Sequence, residues 1–302
     1  EPPRPPTAAE VDAPSTDEAR LARLAEELEY FRQGAESFHR DQSTTIRVKY
    51  REQKDQLADR YEQRIQALEE EERSRRLEAI ERFEVFLRKY PNDPVYTPDA
   101  MFRLAELYFE KSSDDFLRES RAYEDELIAW ERGERASEPP APAPRYDQTI
   151  GLHRELLQRF PGYRLADAAR YLLGYAYGEM GREEESLAAY RSLVDNHPGS
   201  KFLPEVWTRI GEIHFDGNSR ASLEKAIDAY GEVLAVEDSP YYDKALYKIA
   251  WTYYRLDAFD EAVDSFIQLV RYADEQREAT GVTGSELREE AIQYVAISLA
   301  DD

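Results

Sequence analysis

Cysteine is absent from the 302 residues, which removes disulfides, thiolate nucleophiles and cysteine-built zinc sites. Only four histidines occur, His39, His153, His197 and His214, and no two share the i, i+4 spacing of a helical metal pair. Basic residues are outnumbered 40 to 63, for a net charge of −23, so the chain lacks the excess of cations that neutralising nucleic-acid phosphates requires. No apolar run approaches the roughly 18 residues of a membrane-spanning helix. Gly174, Gly178 and Gly181 fall in or at the end of a helical pattern, not in a phosphate-cradling loop. Asp216-Gly217-Asn218 misplaces the glycine of a calcium loop and has no closing Glu. The run Glu69–Glu72 reads as a solvated helix face. With no nucleophile and base to assemble, the expectation is a protein that is not an enzyme and takes no metal and no cofactor.

Hydrophobic residues nonetheless make up 41% of the chain, enough for a substantial core. Residues 1–6 read EPPRPP, without an initiator Met, and residues 1–16 are expected to form an extended Pro-rich tether. A cleaved export signal or lipidated residue upstream and an arbitrary boundary explain that opening equally.

From Asp167 the chain runs DAARYLLGYAYGEMGREEESLAAYRSLVDNHPGS, with Leu173-Gly174, Tyr177, Ser186, Tyr190, Leu193 and Pro198 in one ordered series. A small residue between large ones lets two helices approach, and a proline ends the second. The series recurs as Trp207, Ile210-Gly211, His214, Ala226, Tyr230 and Pro240, then as Leu246, Ile249-Ala250, Tyr253, Ala262, Phe266 and Leu269. Met101, Leu104-Ala105 and Tyr108 begin an earlier unit whose second helix, YDQTIGLHRELLQRF, is closed by Pro161. Ala79, Phe83 and Pro91 look like another second helix, and Ile292, Val295-Ala296 and Leu299 like a first helix without its partner. The spacing resembles the tetratricopeptide (TPR) pattern of about 34 residues. The resemblance implies an all-α fold, a right-handed TPR superhelical solenoid over residues 76–302, preceded by long N-terminal helices over residues 17–75.

In the N-terminal segment, Leu21, Leu24, Leu28, Phe31, Ala35 and Phe38 step by three and four, as a coiled-coil seam does. The pattern blurs and resumes at Tyr50, Leu57, Tyr61, Ile65 and Leu68. Two readings stay open, an extended or self-associating helix and a helix folded back as a cap on the first repeat. Self-association, if any, is expected through Leu21, Leu24, Leu28 and Phe31. Residues 111–145 interrupt the repeat pattern and read as an overlong first helix followed by a PPAPAP return loop.

In TPR proteins the first helix of each unit lines a concave groove. The matching positions here hold Phe102, Glu106, Phe109, Tyr171, Tyr175, Arg209, Phe215, Tyr247, Trp251 and Tyr254, an aromatic groove with charges of both signs. Aromatic and Arg side chains carry most interface energy, so these residues are expected to bind partner peptides or helices. The Lys and Asn of a chaperone-type carboxylate clamp are replaced by Tyr171, Tyr175, Phe102 and Glu106. The junctions YPNDPVYTPDAMFRLAELYF and HPGSKFLPEVWTRIGEIHF further resemble repeats of bacterial envelope TPR proteins. Among these are the Tol–Pal coordinator, the outer-membrane assembly lipoprotein, and long delta-proteobacterial proteins linked to gliding motility and surface polysaccharide. That resemblance implies a periplasmic, outer-membrane-tethered scaffold that recruits envelope proteins. The alternative is a cytoplasmic adaptor or co-chaperone.

Overall fold

No proline or glycine falls between residues 36 and 90, and a computed structural model places that stretch within one helix, α1 (Asp17–Lys89). The structure describes residues 17–217, 219–236, 239–282 and 284–301. The tether reading of residues 1–16 lies outside the described residues. The chain divides into two units, Glu1–Ser74 and Arg75–Asp302.

In the first unit the described backbone is helical throughout. Side-chain pairs one turn apart support it: Glu29 accepts from Arg32 at 2.7 Å and from Gln33 at 3.0 Å, and Gln66 donates to Glu62 at 3.4 Å. Each such pair adds only a few tenths of a kcal/mol to a helix. Leu24, Leu28, Phe31 and Phe38 are exposed by 55, 70, 70 and 65%. The side chain of Leu21 is outside the described residues.

The second unit is a succession of helices in which each packs on the next in sequence, the TPR-like helix-repeat solenoid that the resemblance implies. After the end of α1 come α2 (Tyr96–Glu131), α3 (Asp147–Arg159), α4 (Ala166–Glu179), α5 (Glu183–Asn196) and α6 (Leu203–Asp216). They are followed by α7 (Arg220–Leu234), α8 (Tyr242–Arg255), α9 (Phe259–Thr280) and α10 (Arg288–Asp301). The long α2 and its Pro-containing return occupy the interrupted region between Tyr108 and Tyr146.

One packing rule repeats within the pairs. A Cβ added to Gly174 of α4 would meet the Tyr190 ring of α5 at 2.4 Å, and one added to Gly211 of α6 would meet Tyr230 of α7 at 2.4 Å. Only glycine permits these approaches. In α8 the position holds Ala250, packed with Phe266 of α9, and in α2 it holds Ala105, with His153 at the matching position of α3. A hydroxyl from the second helix reaches back to the same carbonyl: Ser186 donates to Gly174 O at 2.8 Å and Thr149 to Ala105 O at 3.2 Å. All four rings are fully buried, and the apolar Phe266 contributes about 1.5–3 kcal/mol by its burial.

Neighbouring pairs interlock through the other side of each first helix. Ala245 and Ile249 of α8 pack on Tyr230 and Val233 of α7, while Leu246 and Ala250 pack on Phe266 and Leu269 of α9. Ile80, Phe83 and Leu87 at the end of α1 serve the same role for Leu104 of α2.

A second repeated device fastens the junctions. In α2, α4 and α8, each the first helix of its pair, an acid in the first turn accepts from the segment leading into the next pair. Asp99 accepts from the Tyr163 hydroxyl at 2.7 Å and from Arg164 at 2.9 Å. Asp167 accepts from Ser200 at 2.8 Å, and Asp243 from Ser285 at 2.7 Å. In α6 the corresponding acid is Glu205, whose carboxyl Tyr241, just before α8, helps to hold down. Hydrogen bonds from Tyr163 and Arg164 outweigh burial and hold the Asp99 carboxyl below its ordinary value.

Candidate protein-binding face

The first helices of successive pairs touch along one face through aromatic and cationic side chains. At its N-terminal end Phe109 of α2 stacks on Tyr146, just before α3, with ring centroids 4.6 Å apart, and reaches Tyr175 of α4 at 5.7 Å. One turn earlier on α4, Tyr171 stacks on Phe202 at 4.8 Å. The guanidinium of Arg209 on α6 lies over the Tyr175 ring, 4.7 Å from its centroid.

Glu205 organises this cluster. It accepts from the Tyr171 hydroxyl at 2.7 Å and from Arg209 at 3.1 Å. Burial pushes its carboxyl up, but those hydrogen bonds outweigh burial and hold it below the ordinary carboxylate value. Burial, and then the Glu205 carboxylate, push the Tyr171 phenol up. At neutral pH the group is therefore an ionised carboxylate ringed by neutral phenols and one guanidinium.

Toward the C-terminal end, Phe215 of α6 meets two cations of α8, Arg255 at 4.2 Å and Lys248 at 5.3 Å from its centroid. Arg255 also donates to Phe215 O at 2.7 Å. Trp251 packs on Tyr294 of α10 at 4.4 Å and lies 5.3 Å from Tyr254. The Tyr247 hydroxyl donates to Glu290 at 2.9 Å, and burial, together with that carboxylate, pushes its phenol up to about 12.

Of the ten residues expected to line a groove, Glu106, Phe109, Tyr171, Tyr175, Arg209, Phe215, Tyr247, Trp251 and Tyr254 are half-buried. Glu106 pairs with Arg103 at 2.6 Å. Phe102 differs. It is 4% exposed, with its ring 5.6 Å from His153 and 6.0 Å from Tyr163, so it belongs to the core between α2 and α3 and presents no binding surface. The physical reason is that Phe102 follows Met101 on the side of α2 that α3 and α4 cover.

Sequence reasoning missed Tyr146, Phe202, Glu205, Tyr241, Glu290 and Tyr294. The first two and Tyr241 lie at helix entries, outside the periodic positions, although an aromatic just before each such helix was a visible signal. Among the described residues no group of three or more His, Asp or Glu side chains could hold a metal ion, and no helix is long and apolar enough to cross a membrane.

Residues 168–200 and 244–274 match the tetratricopeptide-repeat family. These segments are α4–α5 and α8–α9 with their exits. No curated protein matches the chain. Among solved structures, MamA is 21% identical over 51% of this chain and 86% of its own, with a TM-score of 0.36. A tetratricopeptide repeat protein from Parabacteroides merdae is 16% identical, covering 63% of this chain and 61% of its own, with a TM-score of 0.40. The C-terminal part of a TPR repeat-containing protein from Cytophaga hutchinsonii is 16% identical over 75% of each chain, with a TM-score of 0.44.

Proposed function

We propose that this chain is a scaffold of the bacterial cell envelope that holds partner peptides or helices on the face shared by α2, α4, α6 and α8. A non-catalytic, helix-repeat scaffold for protein–protein contacts is the reading that the fold supports. The observation that carries the binding site is the set of half-buried rings along the first helices, with the Arg209 guanidinium over Tyr175 and with Arg255 and Lys248 both close to the Phe215 ring. Half-buried rings are already held in place, so a partner that covers them loses little side-chain freedom on binding.

Capture of envelope proteins from cell extract by the wild-type chain and by Tyr175→Ala, Tyr254→Ala and a Glu224→Ala control tests this reading. Loss in the two tyrosine variants, with unchanged thermal unfolding and an unaffected control, supports it. Equal capture by all four chains refutes it.

The envelope placement is supported by the resemblance of the Pro-containing repeat junctions to those of envelope TPR proteins. Roles in outer-membrane assembly, Tol–Pal-type coordination or gliding motility are the corresponding expectations. Fractionation of cells expressing the natural gene decides it, and recovery in the cytoplasmic fraction favours the adaptor alternative. Any homo-oligomer is proposed to form through Leu21, Leu24, Leu28 and Phe31, three of which the structure shows exposed. Light scattering that finds a monomer at high concentration rejects that part.

A further inference from the structure

The buried positions of α2 end at Tyr108, and its remaining turns, to Glu131, are half-buried or exposed. Along those turns Phe116, Tyr123, Leu127 and Trp130 step by seven, four and three, the spacing of one side of a helix. The return chain lies beside them. Residues 138–146 form neither helix nor turn, and their EPPAPAP run sets Pro139, which is buried, and Pro142, half-buried, one polyproline turn apart. Two ion pairs fasten this chain to the helix, Arg135 to Glu126 and Arg145 to Glu119.

The fastening leaves a slot. An open cleft of about 390 Å³ is lined by Ala122 and Tyr123 of α2 and by Pro140 and Pro142 of the return, together with Glu119 and Glu126. A smaller cleft of about 200 Å³, beside Phe116, shares Glu119, Ala143 and Arg145 with it. From Glu119 to Glu126 the helix rises about 10 Å, so the larger cleft averages about 6 Å across. An α-helix with its side chains is about 10 Å wide and does not enter, whereas an extended chain does. The walls are a phenol ring, prolines and alanines, and both acids are spent on arginines of the return. The occupant that fits is therefore uncharged, apolar and extended.

We propose that this slot binds a proline-rich segment of a partner protein, held as a polyproline II strand between the Tyr123 ring and the chain's own prolines. Such a strand enters already extended, with no internal hydrogen bonds to give up, and loses little freedom on binding. The protein shows the same chemistry in cis, where its return chain is seated beside α2 with Pro139 buried. The chain's own opening, EPPRPP, is a poorer occupant, because Arg4 interrupts its apolar run and the carboxylates of the slot are already paired. The slot lies within the insertion and is separate from the aromatic face of α4, α6 and α8.

The test is fluorescence anisotropy of the full chain with a labelled, end-capped peptide of about ten prolines, against a Gly-Ser peptide of equal length. Saturable binding of the proline peptide alone is expected, weakened about tenfold or more in Tyr123→Ala, which removes the ring, and in Ala122→Arg, which fills the slot from an exposed position. Tyr254→Ala, on the separate aromatic face, should bind like the wild type, so the outcome does not depend on what that face captures. Circular dichroism melting confirms that each variant stays folded. No binding, equal binding of both peptides, or binding that both slot variants retain overturns the proposal. So does a loss in Tyr254→Ala as large as in Tyr123→Ala, since the aromatic face would then be the site. Binding that appears only when Pro2, Pro3, Pro5 and Pro6 are changed to Ser also overturns it, since the chain's own opening would then be the occupant.

Discussion

His153 occupies the ring position of α3 and is fully buried, and among the described residues neither ring nitrogen finds a hydrogen-bond partner. Desolvation alone drives its imidazole down from 6.5 to about 4. The folded protein therefore keeps His153 neutral at pH values where the unfolded chain takes up a proton, and acid favours unfolding. This contribution is flat above about pH 6.5, falls through the window down to about 4 and is level below it. The full loss corresponds to about 3 kcal/mol, of which about 2 kcal/mol is gone by pH 5. Carboxylates held below their ordinary values, Asp99 and Glu205 among them, lose their contributions only at lower pH, so between 6.5 and 5 the buried imidazole dominates. Half-exposed His214, lowered by burial and then by Arg191 and Lys225, adds a smaller effect of the same sign in wild type and variant alike. His153→Phe places at this position the ring that Phe266 places against Ala250. It should raise stability at pH 7 by about 1 kcal/mol, because a buried unpaired N–H is removed. It should also remove about 2 kcal/mol of the acid loss between pH 6.5 and 5. Urea unfolding at both pH values, with amide exchange along α3, measures this. An acid slope unchanged by His153→Phe would refute the account, since the imidazole would then have found a partner or water.

Three further outcomes follow from the packing. Gly174→Ala should destabilise by about 2 kcal/mol despite the better helix propensity of alanine, because the Tyr190 ring stands 2.4 Å from the new Cβ and is itself fully buried; Gly231→Ala, which meets nothing within 4 Å, should instead stabilise by about 0.5–1 kcal/mol. Thermal unfolding of the two variants checks the opposite signs. Tyr230→Phe should raise stability by about 1 kcal/mol, since its buried hydroxyl has no partner among the described residues; a loss on urea unfolding would reveal one. Trp251→Ala should cost about 2–3 kcal/mol through its contacts with Tyr294 and Phe266, with the damage at α8–α10 in amide exchange. Lost partner capture without lost stability would make Trp251 a contact residue instead.

The intra-pair rule was legible because its members stand at nearly fixed separations. Gly174 and Tyr190, or Ala250 and Phe266, meet across a short turn, so spacing alone implies contact. The face was legible only in outline. Helical period places Phe102 and Phe109 seven residues apart on one side of α2, but whether each faces a groove or the core depends on how α3 and α4 lie across that helix. Glu205 was invisible for a similar reason. Its role is made by Tyr171 of α4 and by Tyr241 just before α8, and nothing local to α6 marks it as different from any first-turn acid. In α1 the stepped apolar positions are plain in the sequence, and the exposure of Leu24, Leu28 and Phe31 shows that the pattern is not used up in a core.

The junction clasps separate the length of a repeat from the spacing of the stack. The hydrogen bonds of Asp99 to Tyr163, Asp167 to Ser200 and Asp243 to Ser285 close over 64, 33 and 42 residues. In each case the chain leaves a first helix, travels an arbitrary distance and is brought back to the acid where that helix began. What lies between can grow outward, as α2 does over 36 residues with its proline-containing return, while the next helix still starts at its appointed place. Such an array can acquire new surface inside a repeat without re-pitching its neighbours, and foreign segments grafted between Tyr108 and Tyr146 would inherit the same tolerance.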